Sequence, residues 1–581
     1  MIDYASLEST IGQNWYELDP DLQARVRADS PAEDADWADA KLRELGALVG
    51  GRIARNADVI DANPPQLQRY DRWASEVDEI VHHPAAIDSK RALWHAGFVS
   101  GFAADERARG RAVPGVVLAA GNYLVSQADT GMVCSLGMTS GVAGLVEAYA
   151  PADLREQLLS GLRADDLEMG IDGSMFLTER DGGSDLGRTV HTVARDLGDG
   201  RVEITGEKWF CSNIDGGAVV LLARPEGAPD GPAGLGLYLV PRFLDDGTRN
   251  RYSMRRLKPK LGTRSVPTGE VQFDGALGYA LRPARADDAS QVDSDAGGLN
   301  RMMEMVNGSR FGVAMMGLGI GRRSFLEATR WAHHRRAKGR ALVDLPLVRE
   351  QLVDLLVELE AAFALAFECA AANRQPDGTR LRRVLVPAAK VRCCRFGVEA
   401  ASTAIELFGG NGYCEDWGLT RQLRDAQCHP IWEGTEHICR LDVLRAMRRE
   451  AAHESALARI DAALSTARAG AAPEWMQPAA DAVSWSRDTL AGRVKDVLGE
   501  SGDEAESHAG LLTDLIVRTM SGALLLEQAV GNPHKALVAL RYARRRLTPD
   551  GSWSDQIAST AGRELLAFAD IDRGVAQQAA A

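Results

Sequence analysis

Glu406-Leu407-Phe408-Gly409-Gly410-Asn411-Gly412-Tyr413 closes a long helical pattern with three glycines in four residues. One glycine just past a helix is ordinary, because a left-handed cap costs glycine little. A cap does not account for three. The others demand unusual backbone angles or close approach by another group. Upstream, RSFLEATRWAHHRR and LPLVREQLVDLLVELEAAFALAFECAA repeat apolar residues at helical spacing. The second is long enough for a bundle helix. Such patterns run from about Leu299 to about Met447.

The texture differs on either side. Residues 1–170 read as helical, as in WADAKLRELGALVGGRIAR and ADLREQLLSGLRA, with breakers at Asn63-Pro64-Pro65 and His83-Pro84. From Met175 to about Arg282, the runs RVEITGEKWF, AVVLLAR, GLGLYLVPRF and GEVQFDGA alternate with Gly, Asp and Pro clusters. That is the pattern of antiparallel sheet with tight turns. Pro283–Gly298, with Asp287, Asp288, Asp293 and Asp295, reads as a polar linker. Past residue 450, the stretch Pro473–Asp481, with two prolines, is a candidate start of a further helical region, and helical segments are expected at Thr489–Gly499, Ala509–Val530 and Lys535–Leu547. The domain plan is therefore 1–170 helical, 171–285 β, 299–450 helical and 451–581 a helical extension.

Composition narrows the function classes. Apolar residues make up 45% and charged residues 25% of 581, an ordinary globular balance. The net charge of −14 argues against nucleic acid and anionic membrane as partners. No run of 18 uncharged apolar residues occurs, so no membrane span is expected. MIDYASLEST lacks the basic and apolar regions of a secretory signal. The eight cysteines form no Cys-x-x-Cys pair, which suggests reduced thiols, a cytoplasmic setting and no metal site.

Three further segments carry chemistry. Met175-Phe176-Leu177-Thr178-Glu179-Arg180-Asp181-Gly182-Gly183-Ser184-Asp185 places two glycines among hydroxyl and acidic groups. Such a stretch suits a backbone approached closely by phosphate or a polar ring edge, or equally a helix-capping turn. Glu207-Lys208-Trp209-Phe210-Cys211-Ser212-Asn213 sets aromatic rings beside small polar groups. It fits a planar ligand, or a core tryptophan followed by a turn. In Ile431-Trp432-Glu433-Gly434-Thr435-Glu436-His437-Ile438, apolar neighbours would desolvate Glu433 and raise its pKa toward a general base's range. The alternative is a helix start, with Glu favouring the dipole and Thr capping.

These segments, in this order, resemble the acyl-CoA dehydrogenase family. Glu406, Gly409, Gly410, Gly412, Tyr413, Asp416, Arg421 and Asp425 match its C-terminal signature. Thr178-Glu179 with Gly183-Ser184-Asp185 matches the N-terminal one, with Phe176 and Arg188 where small residues are usual. Ala62-Asn63-Pro64-Pro65, Arg69-Tyr70-Asp71, His83-Pro84-Ala85, Lys208-Trp209-Phe210 and Val240-Pro241-Arg242-Phe243 look most like the AidB-like branch. The resemblance covers roughly residues 50 to 450.

The resemblance implies a mainly α fold with a central β-barrel domain: a helical domain, the barrel, a four-helix bundle and an extra C-terminal helical domain. It implies FAD between barrel and bundle, contacted by Met175, Leu177, Thr178, Gly183, Ser184, Trp209, Phe210, Cys211, Ser212, Thr435 and His437. Arg335 and the Glu406, Gly409 and Gly410 turn would meet the cofactor of a partner subunit in a homotetramer or homodimer. Ser184, Arg310 and Gly434 would contact an acyl-CoA or carrier-bound thioester. Glu433 would take its α-proton while the flavin accepts hydride, and an electron-transferring flavoprotein would reoxidise the flavin. His437 stands where Asn or Gln is frequent, and Lys338 where Phe normally follows the Arg335 segment. Two other roles compete: a flavin oxidase or monooxygenase, and the DNA-associated protective role linked to the AidB-like branch. Residues 451–581 hold 13 Lys and Arg against 17 Asp and Glu, and only Arg541 with Arg544-Arg545-Arg546 clusters, which argues against DNA binding.

Overall fold

The computed structural model describes residues 7–283, 297–374, 377–470, 473–548 and 555–580. The acidic linker of the sequence reading therefore lies almost wholly outside the described residues. The chain separates into two compact units: Arg52–Val113 with Asp129–Ser309, and Met1–Gly51 with Pro114–Ala128 and Arg310–Ala581.

The first of these units holds the sheet. Strand Ala218–Pro225 pairs with Val193–Gly198 and with Gly236–Pro241. From Val193–Gly198 the path continues through Arg201–Ser212 and Thr268–Ala280 back to Gly236–Pro241. The path closes on itself, so these five strands form a barrel. Gly173–Phe176 and Tyr252–Leu257 pair onto its strands. Alternation sets the faces: Val202 and Ile204 are buried, while Arg201 and Thr205 are exposed. Phe176, Ile204, Tyr238 and Phe273 fill the interior. Gly173 lets helix Thr130–Tyr149 pack closely, since a Cβ there would lie 2.9 Å from the Thr139 Cα.

One element departs from the sequence reading. Gln66–Tyr70 and Glu76–Val81 pair as an antiparallel hairpin within the stretch read as helical. Pro64 and Pro65 bar a helix there by removing backbone donors. The exposed positions Gln66, Gln68, Glu76 and Glu79 leave no apolar alternation by which to recognise the strands.

The second unit is helical. Its bundle consists of helix Gly298–His334 from Arg310 onward, with Pro346–Ala371, Gly378–Phe408 and Glu436–Glu450. Gly317 and Gly397 let two of these helices touch, since a Cβ at Gly397 would lie 2.6 Å from the Gly317 carbonyl oxygen. Helices Ala452–Ala469, Gln477–Leu498, Gly502–Gln528 and Pro533–Arg546 follow. Gln477–Leu498 starts well before Thr489 because Pro478 falls in its first turn, where proline is tolerated.

Buried ion pairs tie this extension to helix Pro346–Ala371. Lys535 reaches Asp21 at 2.6 Å and Glu360 at 2.7 Å, and His534 also reaches Glu360 at 2.7 Å. Arg459 spans Glu368 at 2.7 Å and Glu527 at 2.6 Å. The basic cluster is absorbed in the same way. Arg541 is fully buried against Glu350, Asp354 and Asp555; Arg545 pairs with Asp354, and Arg546 with Glu358. Arg544 donates to the Ala580 carbonyl at 2.8 Å.

Among the described residues, Thr130–Tyr149 and Gly502–Gln528 are long and apolar enough to cross a membrane by length and composition. Both are largely buried within the fold, as core helices are. Neither is an uninterrupted apolar run, which is why the sequence reading finds no such segment.

Candidate active site

The residues Ile431 to Thr435 lead into helix Glu436–Glu450. Glu433 adopts φ 56° and Gly434 φ 96°. Left-handed backbone is uncommon for a residue with a side chain, so a glutamate held there depends on its surroundings. Two cations hold it. Arg310 Nε donates to the Glu433 carbonyl at 2.9 Å, and Lys390 Nζ donates to the Gly434 carbonyl at 2.5 Å. Arg310 is braced by Asp442 at 2.7 Å, and Asp442 by Arg383 at 2.8 Å.

The Glu433 carboxyl is pushed up to about 7 by burial, against the pull of Arg310 and Lys390. The side chain keeps some access to solvent. A carboxylate balanced near neutrality is suited to take and return a proton. Next to it in sequence, Trp432 Nε1 is buried without a protein hydrogen bond, as is Nε2 of His429, whose ring meets the Trp432 ring edge-on at 5.4 Å. Buried polar atoms are rarely left so, and these fit a polar ligand or ordered water. Burial drives the His429 imidazole down to about 3, so it is neutral. Thr435 occupies the cap position of the next helix but makes no side-chain cap bond. The helix's leading N–H groups thus lack that partner. Glu436 takes the ordinary helix-start role and pairs with Arg395 at 2.6 Å; His437 is exposed.

The glycine turn resolves into separate causes. Gly409 caps helix Gly378–Phe408 with φ 66°. Gly412 is required by space, since a Cβ would lie 2.4 Å from the Ile405 carbonyl. Gly410 has neither a positive φ nor any neighbour within 4 Å of a Cβ. Nothing within the described residues demands a glycine there. Glu406 and Tyr413 project outward, Tyr413 84% exposed. Trp331 stacks on Phe408 at 4.6 Å beneath the turn. Arg335 is half-buried, and Lys338 is exposed in a left-handed turn at φ 51°. Of the other signature residues, Arg421 donates to the Ala128 carbonyl at 2.8 Å, while Asp416 is exposed.

In the barrel unit, Thr178 and Trp209 are joined through the backbone, with Trp209 N–H donating to the Thr178 carbonyl at 2.8 Å. Lys258 sits 3.6 Å from the Trp209 ring centre, and Phe210 is 54% exposed. Ser212 bonds the Thr268 hydroxyl at 3.0 Å. Cys211 points into the barrel core, where burial pushes its thiol up. Met175 is buried, Leu177 and Gly183 are half-buried, and Ser184 is exposed.

One carboxylate holds this surface. Glu179 accepts from Lys208 Nζ at 2.7 Å, Thr192 Oγ1 at 2.6 Å, His191 N–H at 2.7 Å and Thr192 N–H at 3.1 Å. Those bonds hold its carboxyl below the usual range, opposing its burial. Burial lowers the Lys208 ammonium in turn, against Glu179.

The residues proposed from sequence thus fall into two sets. Arg310, Glu433, Gly434, Thr435 and His437 cluster in the helical unit, as do Arg335 and the glycine turn. Of residues 175 to 184 and 209 to 212 in the barrel unit, Ser184 and Phe210 are exposed and Leu177, Thr178, Gly183, Trp209 and Ser212 partly so, while Met175 and Cys211 are buried. Lys390, Glu179 and Lys208 escape the sequence reading as supporting residues. The available signal for Lys390 was a lone charge within the apolar stretch VLVPAAKV.

Comparison with known proteins agrees with this layout. The adaptive response protein AidB N-terminal domain matches residues 7–168, the acyl-CoA dehydrogenase middle domain residues 174–276, and the acyl-CoA dehydrogenase C-terminal domain residues 296–448. AidB of Escherichia coli (strain K12) is 33% identical over 449 residues, covering 75% of this chain and 79% of that protein. Acyl-CoA dehydrogenase family member 11 of Caenorhabditis elegans is 27% identical over 567 residues, covering 93% of this chain and 89% of its own. The crystal structure of Caenorhabditis elegans ACDH-11 in complex with C11-CoA superposes with a TM-score of 0.84 at 26% identity, covering 97% of this chain and 96% of that one.

Proposed function

Because the chain belongs to the acyl-CoA dehydrogenase family, in its AidB-like branch, we propose that it α,β-dehydrogenates a fatty acyl thioester with Glu433 as the base. The family's chemistry is FAD-dependent oxidation of acyl-CoA. The observation that carries the reading is the half-buried carboxyl of Glu433, poised at about 7 on a left-handed backbone held by Arg310 and Lys390. The C11-CoA complex of the related structure supports coenzyme A as the carrier of the acyl group.

The residues present suit a flavin. In the barrel unit, Trp209 and Phe210 offer partly open rings and Thr178 a hydroxyl; within the helical unit, Trp432 has a buried indole N–H lacking a protein partner. When bound, FAD supplies the hydride acceptor. The chain itself handles the proton: Glu433 takes it from the carbon α to the thioester carbonyl. The leading N–H groups of helix Glu436–Glu450 are positioned next to the base in sequence and favour negative charge. They stabilise the enolate-like oxygen that develops as the proton leaves. Gly410, which no local contact requires, and the exposed Tyr413 support a partner subunit at the glycine turn, hence a homo-oligomer. By family analogy an electron-transferring flavoprotein takes the electrons. The protective DNA role draws no support from Arg541 or Arg544–Arg546, whose charges are engaged internally.

The test is anaerobic titration of the flavin-loaded protein with saturated acyl-CoAs of increasing chain length, beside Glu433→Gln. Bleaching of the flavin is expected in the wild type. The variant should be slower by about 10²- to 10⁴-fold, the usual worth of a general base. Equal reduction of both proteins would remove Glu433 from the mechanism. Hydrogen peroxide formed without an added acceptor would favour an oxidase.

A further inference from the structure

We propose that Lys390 is a positioning residue for the base: it anchors the left-handed Glu433–Gly434 backbone through the Gly434 carbonyl and supplies the buried positive charge against which Glu433 ionises. The proposal rests on the reading of Glu433 as the base.

Lys390 lies in helix Gly378–Phe408 and is 0% exposed. Its ammonium donates to the Gly434 carbonyl, and among the described residues no carboxylate lies within ion-pair distance of it. A buried ammonium without a carboxylate is costly, and such a charge persists where it serves a nearby anion.

The other ionisable groups around the loop are accounted for. From helix Gly298–His334, Arg310 is paired with Asp442 of helix Glu436–Glu450. Arg383, on the same helix as Lys390, shares Asp442. Glu436 is paired with Arg395. Burial pushes the Cys394 thiol up to about 12 and raises that of Cys439, so neither is a thiolate near neutrality. His429 is neutral. Arg310 exerts the larger attraction on Glu433 but is shared with Asp442; among the described residues Lys390 has no carboxylate within ion-pair distance, and its attraction too opposes the upward push of burial on that carboxyl. By holding the Gly434 carbonyl it also fixes the backbone from which the base projects.

A substitution that keeps a donor but removes the charge separates this role from simple packing. Lys390→Gln can still donate to Gly434; Lys390→Arg keeps the charge. The readout is the pH profile of flavin reduction by a straight-chain saturated acyl-CoA that reduces the wild type, measured on flavin-loaded protein. Lys390→Gln should move the acidic limb upward by about 1 pH unit, the low end of what one neighbouring charge does. Near pH ~7 the rate should fall about fivefold, approaching tenfold only about two pH units lower, since a smaller share of Glu433 is ionised. Lys390→Arg should leave the limb within ~0.3 pH unit of the wild type. A Lys390→Gln profile superimposed on the wild type overturns the proposal. So does a limb moved upward by Lys390→Arg as far as by charge removal, a result that decides the matter even if Lys390→Gln loses its flavin. Failure of the underlying reading looks different: Glu433→Gln would then still reduce its flavin.

Discussion

Replacing Glu433 by glutamine should stabilise the protein at alkaline pH and leave it nearly unchanged in acid. The carboxyl is raised from an ordinary 4.5 to about 7 in the fold. Below pH 4.5 it is protonated in folded and unfolded chains alike and contributes no pH dependence. Between 4.5 and 7 the folded chain keeps a proton that the unfolded chain has released, so stability falls as pH rises. Above 7 the full penalty of a buried anion applies. A displacement of about 2.5 pH units, at roughly 1.4 kcal/mol for each, comes to about 3.5 kcal/mol. Glutamine never ionises, so the variant escapes this loss. The assay is denaturant unfolding of both proteins without thioester, from about pH 5 to about pH 8.5, comparing how the difference between them changes. Its slope matters more than its absolute value, because glutamine also alters local contacts. A chain of this length need not unfold in one step, so proton release gives an independent check. Unfolding near pH ~6 should release about one more proton from the wild type than from the variant. Parallel stability curves and equal proton release would refute a raised carboxyl at Glu433.

Three predictions concern other residues. Lys208→Met leaves Glu179 buried with its cation gone and should cost about 3–5 kcal/mol in denaturant unfolding, with partial recovery when Glu179→Gln is added. Gly412→Ala should destabilise by about 1–3 kcal/mol, because its Cβ would meet the Ile405 carbonyl at 2.4 Å. Gly410→Ala should leave the melting profile within ~0.5 kcal/mol of the wild type while weakening flavin retention in the oligomer, read by absorbance after gel filtration.

Much of this architecture was legible in the residues, and the gaps have physical causes. The barrel strands announced themselves because one face of each is buried, which writes a period of two into RVEITGEKWF. The Gln66–Val81 hairpin did not, because Tyr70 and Val81 lie exposed while Asp78 is buried, which breaks the alternation of apolar inner and polar outer positions. Glu433 was readable from its neighbours, whereas its left-handed backbone was not: a glutamate before a glycine gives no hint which of the two turns the chain. The three glycines were readable as excessive. Only coordinates separate Gly409, required by φ, from Gly412, required by space, and from Gly410, required by neither. The basic cluster at Arg541–Arg546 shows the converse limit. In sequence it is a patch of charge; in the fold its partners lie nearly 200 residues earlier, on helix Pro346–Ala371.

The two buried lysines show why burial alone does not assign a role. Lys208 and Lys390 are both almost fully enclosed, and each donates to a backbone carbonyl, Leu222 for the first and Gly434 for the second. Lys208 also holds Glu179 at 2.7 Å, so its charge is neutralised on the spot and its field outside the pair is small. Such a pair organises the fold: it links the segment after Thr178 to the strand carrying Trp209, and does so equally well at any pH that keeps both partners charged. Among the described residues Lys390 has no such carboxylate within ion-pair distance, and its field reaches Glu433, the nearby carboxyl raised toward neutrality. That acid changes charge near neutrality, and any proton it gains or loses is weighed against the lysine. A buried cation with a permanent partner therefore reads as architecture. One whose natural partner is the proposed base reads as part of the proposed chemistry, because its charge is matched only when that carboxyl is ionised.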